Sequence, residues 1–130
     1  MTVLVGFVPN PLGEAALTTA VAEARRRGEP LLVVNVSRDD VAVDAHRAGA
    51  EQLDRIRRDL ADLDLDVEVR QIEGGSDASD VLLHVANREN ASVVVIGLRH
   101  RSAVGKLLLG SSAQRILLDA TCPVLAVKAG

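Results

Sequence analysis

Apolar residues fall along this 130-residue chain in two alternating rhythms. Four short runs, VLVGFV (3–8), LLVVNV (31–36), SVVVIG (92–97) and PVLAV (123–127), are β-branched and apolar at successive positions, as strands covered on both faces must be. VEVRQI (67–72) instead sets Glu68 and Arg70 against Val67 and Val69, which predicts a strand at a sheet edge.

The segments between these runs carry helical spacing. Asn10 is positioned to cap a helix that starts at Pro11, buries Leu17, Val21 and Ala24 on one face, and stops at Gly28 after three arginines. A second helix is predicted over 44–63 from the stripe Leu53, Ile56, Leu60 and Leu63. The third runs over 77–88 with Ser76 as cap and Val81, Leu82 and Val85 turned inward. A fourth follows Gly110, capped by Ser111 or Ser112, with Ile116, Leu117 and Ala120 on its buried side.

The order β-α-β-α-β-α-β-α-β predicts an α/β fold, a single-domain open doubly wound parallel sheet over residues 1–130 with helices on both faces. Ligands of such sheets sit beyond the carboxyl ends of the strands, which directs attention to the loops after residues 8, 36 and 97.

Composition narrows the chemistry. Phe7 is the only aromatic residue, so stacking on nucleic-acid bases is unavailable, and a net charge of −3 gives no broad attraction to polyanions. No nucleic-acid partner is expected. Cys122 is alone and cannot form an intramolecular disulfide. Residues 1–8 do not read as a signal peptide, and no apolar run approaches the roughly 20 residues of a membrane span, so a cytoplasmic location and no membrane partner are expected.

One stretch departs from the overall acidity. GLRHRSAVGKLLLGSSAQ (97–114) holds Arg99, Arg101 and Lys106, and no carboxylate lies between Glu89 and Asp119. The stretch leaves a strand end and feeds a helix start, where Gly110 admits a close backbone approach and the free N–H groups beside Ser111 and Ser112 suit phosphate. Solvated cations and ordinary capping are the competing explanation. The P-loop motif fails because His100 and Leu107 stand where glycine and Ser or Thr are needed, and no GxGxxG follows either strand.

The same stretch resembles the universal stress protein family, whose signature is a glycine, two variable residues, a second glycine, nine variable residues, then glycine and Ser or Thr. The chain offers Gly97, Leu98 and Arg99, then His100, nine residues from 101 to 109, Gly110 and Ser111. VGFVPNPLGEAAL, EARRRG and the closing ATCPVLAVK are similar to the family's opening strand, first helix and last helix-to-strand junction. The resemblance implies a five-stranded parallel sheet in the order 3-2-1-4-5, a homodimer paired through residues 123–127, and ATP, with or without Mg²⁺, across the ends of the first and fourth strands. It implies that Val8, Pro9, Val36, Gly97, Arg99, His100, Arg101, Gly110, Ser111 and Ser112 line that site, with Val36 at the adenine and Pro9 beside the sugar. Two positions depart from the family pattern: His100 replaces the second glycine, and Val8 replaces a common acidic residue. They favour the alternative of a nucleotide-free dimeric interaction protein acting in the stress response.

The remaining chemistry-bearing residues point nowhere strongly. His46, His84 and His100 lie on separate segments without metal-ligand spacing, and Cys122 is expected to pack. Asp39, Asp40 and Asp44 read as a solvated loop and helix start, and Leu107 to Leu109 as burial or a contact surface. No general base for hydrolysis is evident, so binding with at most weak ATP hydrolysis is the expected activity.

Overall fold

Helix punctuation in the sequence becomes backbone geometry in the computed structural model, which describes residues 1–37, 48–74, 77–99 and 110–129. The elements are β1 (Thr2–Gly6), α1 (Pro11–Arg27), β2 (Leu31–Ser37), α2 (Ala50–Ala61), β3 (Val67–Glu73), α3 (Ala78–Arg88), β4 (Ala91–Arg99), α4 (Ser111–Asp119) and β5 (Val124–Ala129). Asn10 caps α1 by accepting from the Gly13 amide at 3.1 Å, and Gly28 ends it in the left-handed region at φ 64°.

All pairings are parallel and the strand order is β3-β2-β1-β4-β5, so the charged strand β3 is an edge, as its alternation predicts. Strand parity divides the core. Val3, Val5, Phe7, Leu31, Val33, Val93 and Val95 point to the α1–α2 layer, against Ala16, Ala20, Ala24, Leu53 and Ile56. Leu4, Leu32, Val34, Val36, Val94, Ile96 and Leu98 point to the α3–α4 layer, against Leu82, Val85, Ala86 and Ile116. Both faces of the three central strands are therefore covered, which is why their sequences lack alternation.

Two glycines set how closely α1 rests on the sheet. A Cβ at Gly13 would lie 1.8 Å from the Val8 carbonyl oxygen, and one at Gly97 would lie 2.3 Å from the Leu12 carbonyl oxygen. Gly97 thus serves the contact between β4 and the first turn of α1. A buried polar group secures the other side: Asn35, fully buried on β2, donates to the Phe7 carbonyl at 2.9 Å and accepts from the Ala48 amide at 3.0 Å and Gln71 Nε2 at 2.9 Å. Gln71 also donates to the Ala48 carbonyl at 2.8 Å. Asn35 therefore ties the end of β1, the approach to α2 and the edge strand together.

Several sequence expectations shift. The cap of α3 is Asp77, which accepts from the Ser79 amide at 3.0 Å; Ser76 lies outside the described residues. Gly110, not Ser111 or Ser112, occupies the cap position of α4, and glycine has no side chain to close a cap bond; Ser112, inside the helix, donates its hydroxyl to Asp77. Leu117 is 38% exposed where burial was expected, since this nine-residue helix buries Ile116 alone. β4 continues through Arg99, β1 stops at Gly6, and α2 is described from Ala50; the expected helical residues 44–47 lie outside the described ones.

Two substitutions test these contacts. Glycine to alanine inside a helix ordinarily stabilises by about 0.5–1 kcal/mol, but Gly13→Ala is expected to destabilise by roughly 1–3 kcal/mol through overpacking against Val8. Urea unfolding gives the sign, and a stabilised variant would contradict the close approach. Asn35→Ala, which strands buried partners on three segments, is expected to cost roughly 2–3 kcal/mol in the same assay; a loss under about 0.5 kcal/mol would show that water replaces the network.

Candidate functional site

The carboxyl ends of β2, β1 and β4 lie side by side, with Gly6 opposite Val34 and Val5 opposite Val95. Val8 and Pro9 continue from β1 and are half-buried; Phe7 extends the ladder by donating to the Val34 carbonyl at 2.9 Å. Their course is held from both directions, by the Asn35 bond to Phe7 and by the Asn10 amide, which donates to the Val8 carbonyl at 2.9 Å. Val36 is 7% exposed and its side chain belongs to the α3–α4 core. Gly97 is half-buried under α1, and Arg99 is the last residue of β4.

α4 begins beside the start of α3, with an open first turn. Gly110 is extended (φ −65°, ψ 160°) and exposed, and among the described residues, its chain neighbours apart, no atom lies within 4 Å of the place a Cβ would take. Ser111 is exposed and Ser112 half-buried. With no side chain capping the turn, its amides keep their capacity to meet an acceptor. His100, Arg101, Lys106 and Leu107 to Leu109 lie outside the described residues, as do Asp39, Asp40, Asp44 and His46.

Ser112 is not a free hydroxyl. It donates to Asp77 Oδ1 at 2.8 Å, so the starts of α3 and α4 share one carboxylate. The Ser79 amide, first, and then the Ser112 hydroxyl hold the Asp77 carboxyl below its ordinary range. The neighbouring Ser79 hydroxyl is fully buried and closes no hydrogen bond of its own. Arg115, from the cation-rich side of the sequence, is committed to Asp80 at 2.5 Å and Asp119 at 3.5 Å.

Asn35 and Asp77 escaped the sequence reading. Asn35 carried a signal, since it is the one polar residue in the apolar run LLVVNV, opposite Gln71 in the register. Asp77 carried only the ordinary mark of a helix cap.

His84 and Cys122 take the surface and packing positions expected of them. His84 is an exposed helix residue, and Cys122 is half-buried against the α3–α4 core with its thiol pushed up by burial. Among the described residues no group of three His, Cys, Asp or Glu is arranged to hold a metal, and no helix is long and apolar enough to cross a membrane. Two hollows, of about 640 Å³ between β3 and α3 and about 250 Å³ between α1 and α2, lie on the flanks.

Comparison with known proteins agrees with this geometry. The universal stress protein family profile matches residues 1–128. A universal stress protein from Mycolicibacterium smegmatis is 44% identical over 126 residues, covering 97% of this chain and 96% of the relative. A solved universal stress protein from Archaeoglobus fulgidus superposes with a TM-score of 0.79 at 29% identity, covering 98% of each chain. Three structures with the same fold contain nucleotides. They are an Archaeoglobus fulgidus protein with dAMP (TM-score 0.70, 22% identity, 98% of each chain), a universal stress protein with cAMP (0.73, 20%, 100% of this chain and 98% of the other), and an Arabidopsis thaliana protein with AMP (0.67, 20%, 100% and 92%). From the length of the family match, the identity to a whole relative and the shared sheet, the chain belongs to the universal stress protein family.

Proposed function

We propose that residues 1–130 act as one universal stress protein domain that binds an adenine nucleotide across the carboxyl ends of β1, β2 and β4. The observation that carries this reading is the uncapped first turn of α4 at Gly110, an anion-seeking helix start in a doubly wound sheet whose strand ends form the crevice. The phosphate meets the Gly110, Ser111 and Ser112 amides, with charge supplied by Arg99 at the end of β4 and by His100 and Arg101 that follow it in sequence. Val8 and Pro9 flank the nucleoside, Val36 closes the adenine side, and Gly97 lets α1 stand close enough to shape the crevice. Fold neighbours with dAMP, cAMP and AMP support an adenine ligand. ATP, with Mg²⁺ carried on its phosphates, is the larger ligand this reading admits. The output is a change of shape or partner in a cytoplasmic stress response.

A second observation favours self-association. β5 is the other sheet edge, its residues 124–127 are half-buried and apolar, and Leu118 on the preceding helix is 83% exposed. Pairing two copies through residues 123–127 would cover that edge, and it serves equally the alternative of a nucleotide-free dimeric interaction protein.

Isothermal titration of nucleotide-free protein with AMP and with MgATP tests the first reading; heat with millimolar affinity or better is expected, and no heat at millimolar ligand would sink it. Because a Cβ at position 110 meets none of the described residues within 4 Å, Gly110→Val is expected to change stability by less than about 1 kcal/mol while lowering affinity roughly tenfold or more. Unchanged affinity would remove α4 from the site. Light scattering at micromolar concentration is expected to give the mass of two chains, and the mass of one chain would refute the β5 pairing.

A further inference from the structure

We infer that Asp77 is a specificity-determining residue of the nucleotide site, disfavouring a dianionic phosphate monoester relative to a monoanionic phosphodiester or an uncharged nucleoside. The inference rests on the proposed nucleotide reading and adds to it a residue and a ligand preference. Asp77 Oδ1 receives the Ser112 hydroxyl at 2.8 Å, and Ser112 is one of the residues whose amides face the phosphate in that reading. A full negative charge therefore sits one hydrogen bond from the anion-binding turn.

Two consequences follow from that contact. Serine has a single hydroxyl proton, and here it is spent on Asp77, so Ser112 Oγ presents lone pairs to a ligand. A phosphate oxygen meets repulsion there unless Ser112 turns away and leaves Asp77 with one bond fewer. The carboxylate itself also repels phosphate in proportion to the ligand's charge.

Among the described residues Arg115 is the cation whose charge acts on Asp77, and it favours the carboxylate less than the hydrogen bonds from the Ser79 amide and the Ser112 hydroxyl do. Arg115 is bound to Asp80 and Asp119, and Asp77 has no ion pair among the described residues; its partners are the Ser79 amide and the Ser112 hydroxyl. The α3 start holds the charge in place, because the same carboxylate oxygen caps the helix. Asp77 thus cannot swing away from an incoming anion without uncapping α3. A phosphomonoester carries nearly two charges above its second pKa of about 6, whereas a cyclic phosphodiester carries one.

Asp77→Asn separates charge from structure. Asparagine caps a helix as well as aspartate, and its carbonyl oxygen still accepts from the Ser79 amide and the Ser112 hydroxyl. Titrations with AMP, cAMP and adenosine at pH 8 in low salt and without divalent metal should show AMP affinity rising roughly threefold to tenfold in the variant. The rise for cAMP should be smaller, and adenosine should stay within about twofold. Asp77→Ser, which also retains a cap, should give the same order. An unchanged AMP affinity, or an equal change for all three ligands, would overturn the role of Asp77 while leaving the nucleotide reading intact. If neither the parent protein nor the variants bind any of the three, the nucleotide reading falls and this inference falls with it.

Discussion

The first turn of α1 rests on the ends of β1 and β4 because positions 13 and 97 carry no side chain. With Cβ contacts of 1.8 and 2.3 Å to backbone oxygens, nothing larger than glycine fits at either place without moving a main chain. That approach fixes where the chain leaves β1, and so where Val8 and Pro9 stand relative to β4. The Asn35 network completes the restraint from the β2 side. The crevice at the strand ends is thus shaped by packing and by buried hydrogen bonds well before any ligand is considered.

Against this rigid platform, the α3 and α4 starts form a more polar wall. One helix start is capped by its own aspartate, and the other is left open while its serine reaches across to that aspartate. An open turn attracts anions, and a carboxylate beside it limits how much anionic charge the turn accepts. The balance between the two is local electrostatics, and it is set by residues 77 and 110–112.

Much of the fold was legible in the sequence. The contrast between VLVGFV or LLVVNV and the alternating VEVRQI separated covered strands from an edge, and Asn10, Pro11 and Gly28 marked both ends of α1. These signals are local, so a single sequence carries them. The strand order came instead from the family resemblance. The glycine–serine junction was legible as a helix start, but the partner of Ser112 was not, because a contact between residues 35 positions apart leaves no trace in spacing. Gly97 illustrates the same limit: its place at a strand end suggested a ligand, while its nearest constraint is the Leu12 carbonyl of a helix distant in sequence. Leu117 was assigned to the buried side from helical spacing, and a helix that buries one residue offered too narrow a stripe for that rule.

The central claim is that an adenine nucleotide sits between the end of β1 and the start of α4. Amide hydrogen exchange with and without saturating AMP locates the ligand directly. The account predicts added protection at residues 8–10 and 110–113, with the β3–α3 flank around Arg70 and His84 unchanged. Protection confined to that flank, or none at the α4 start, would contradict it.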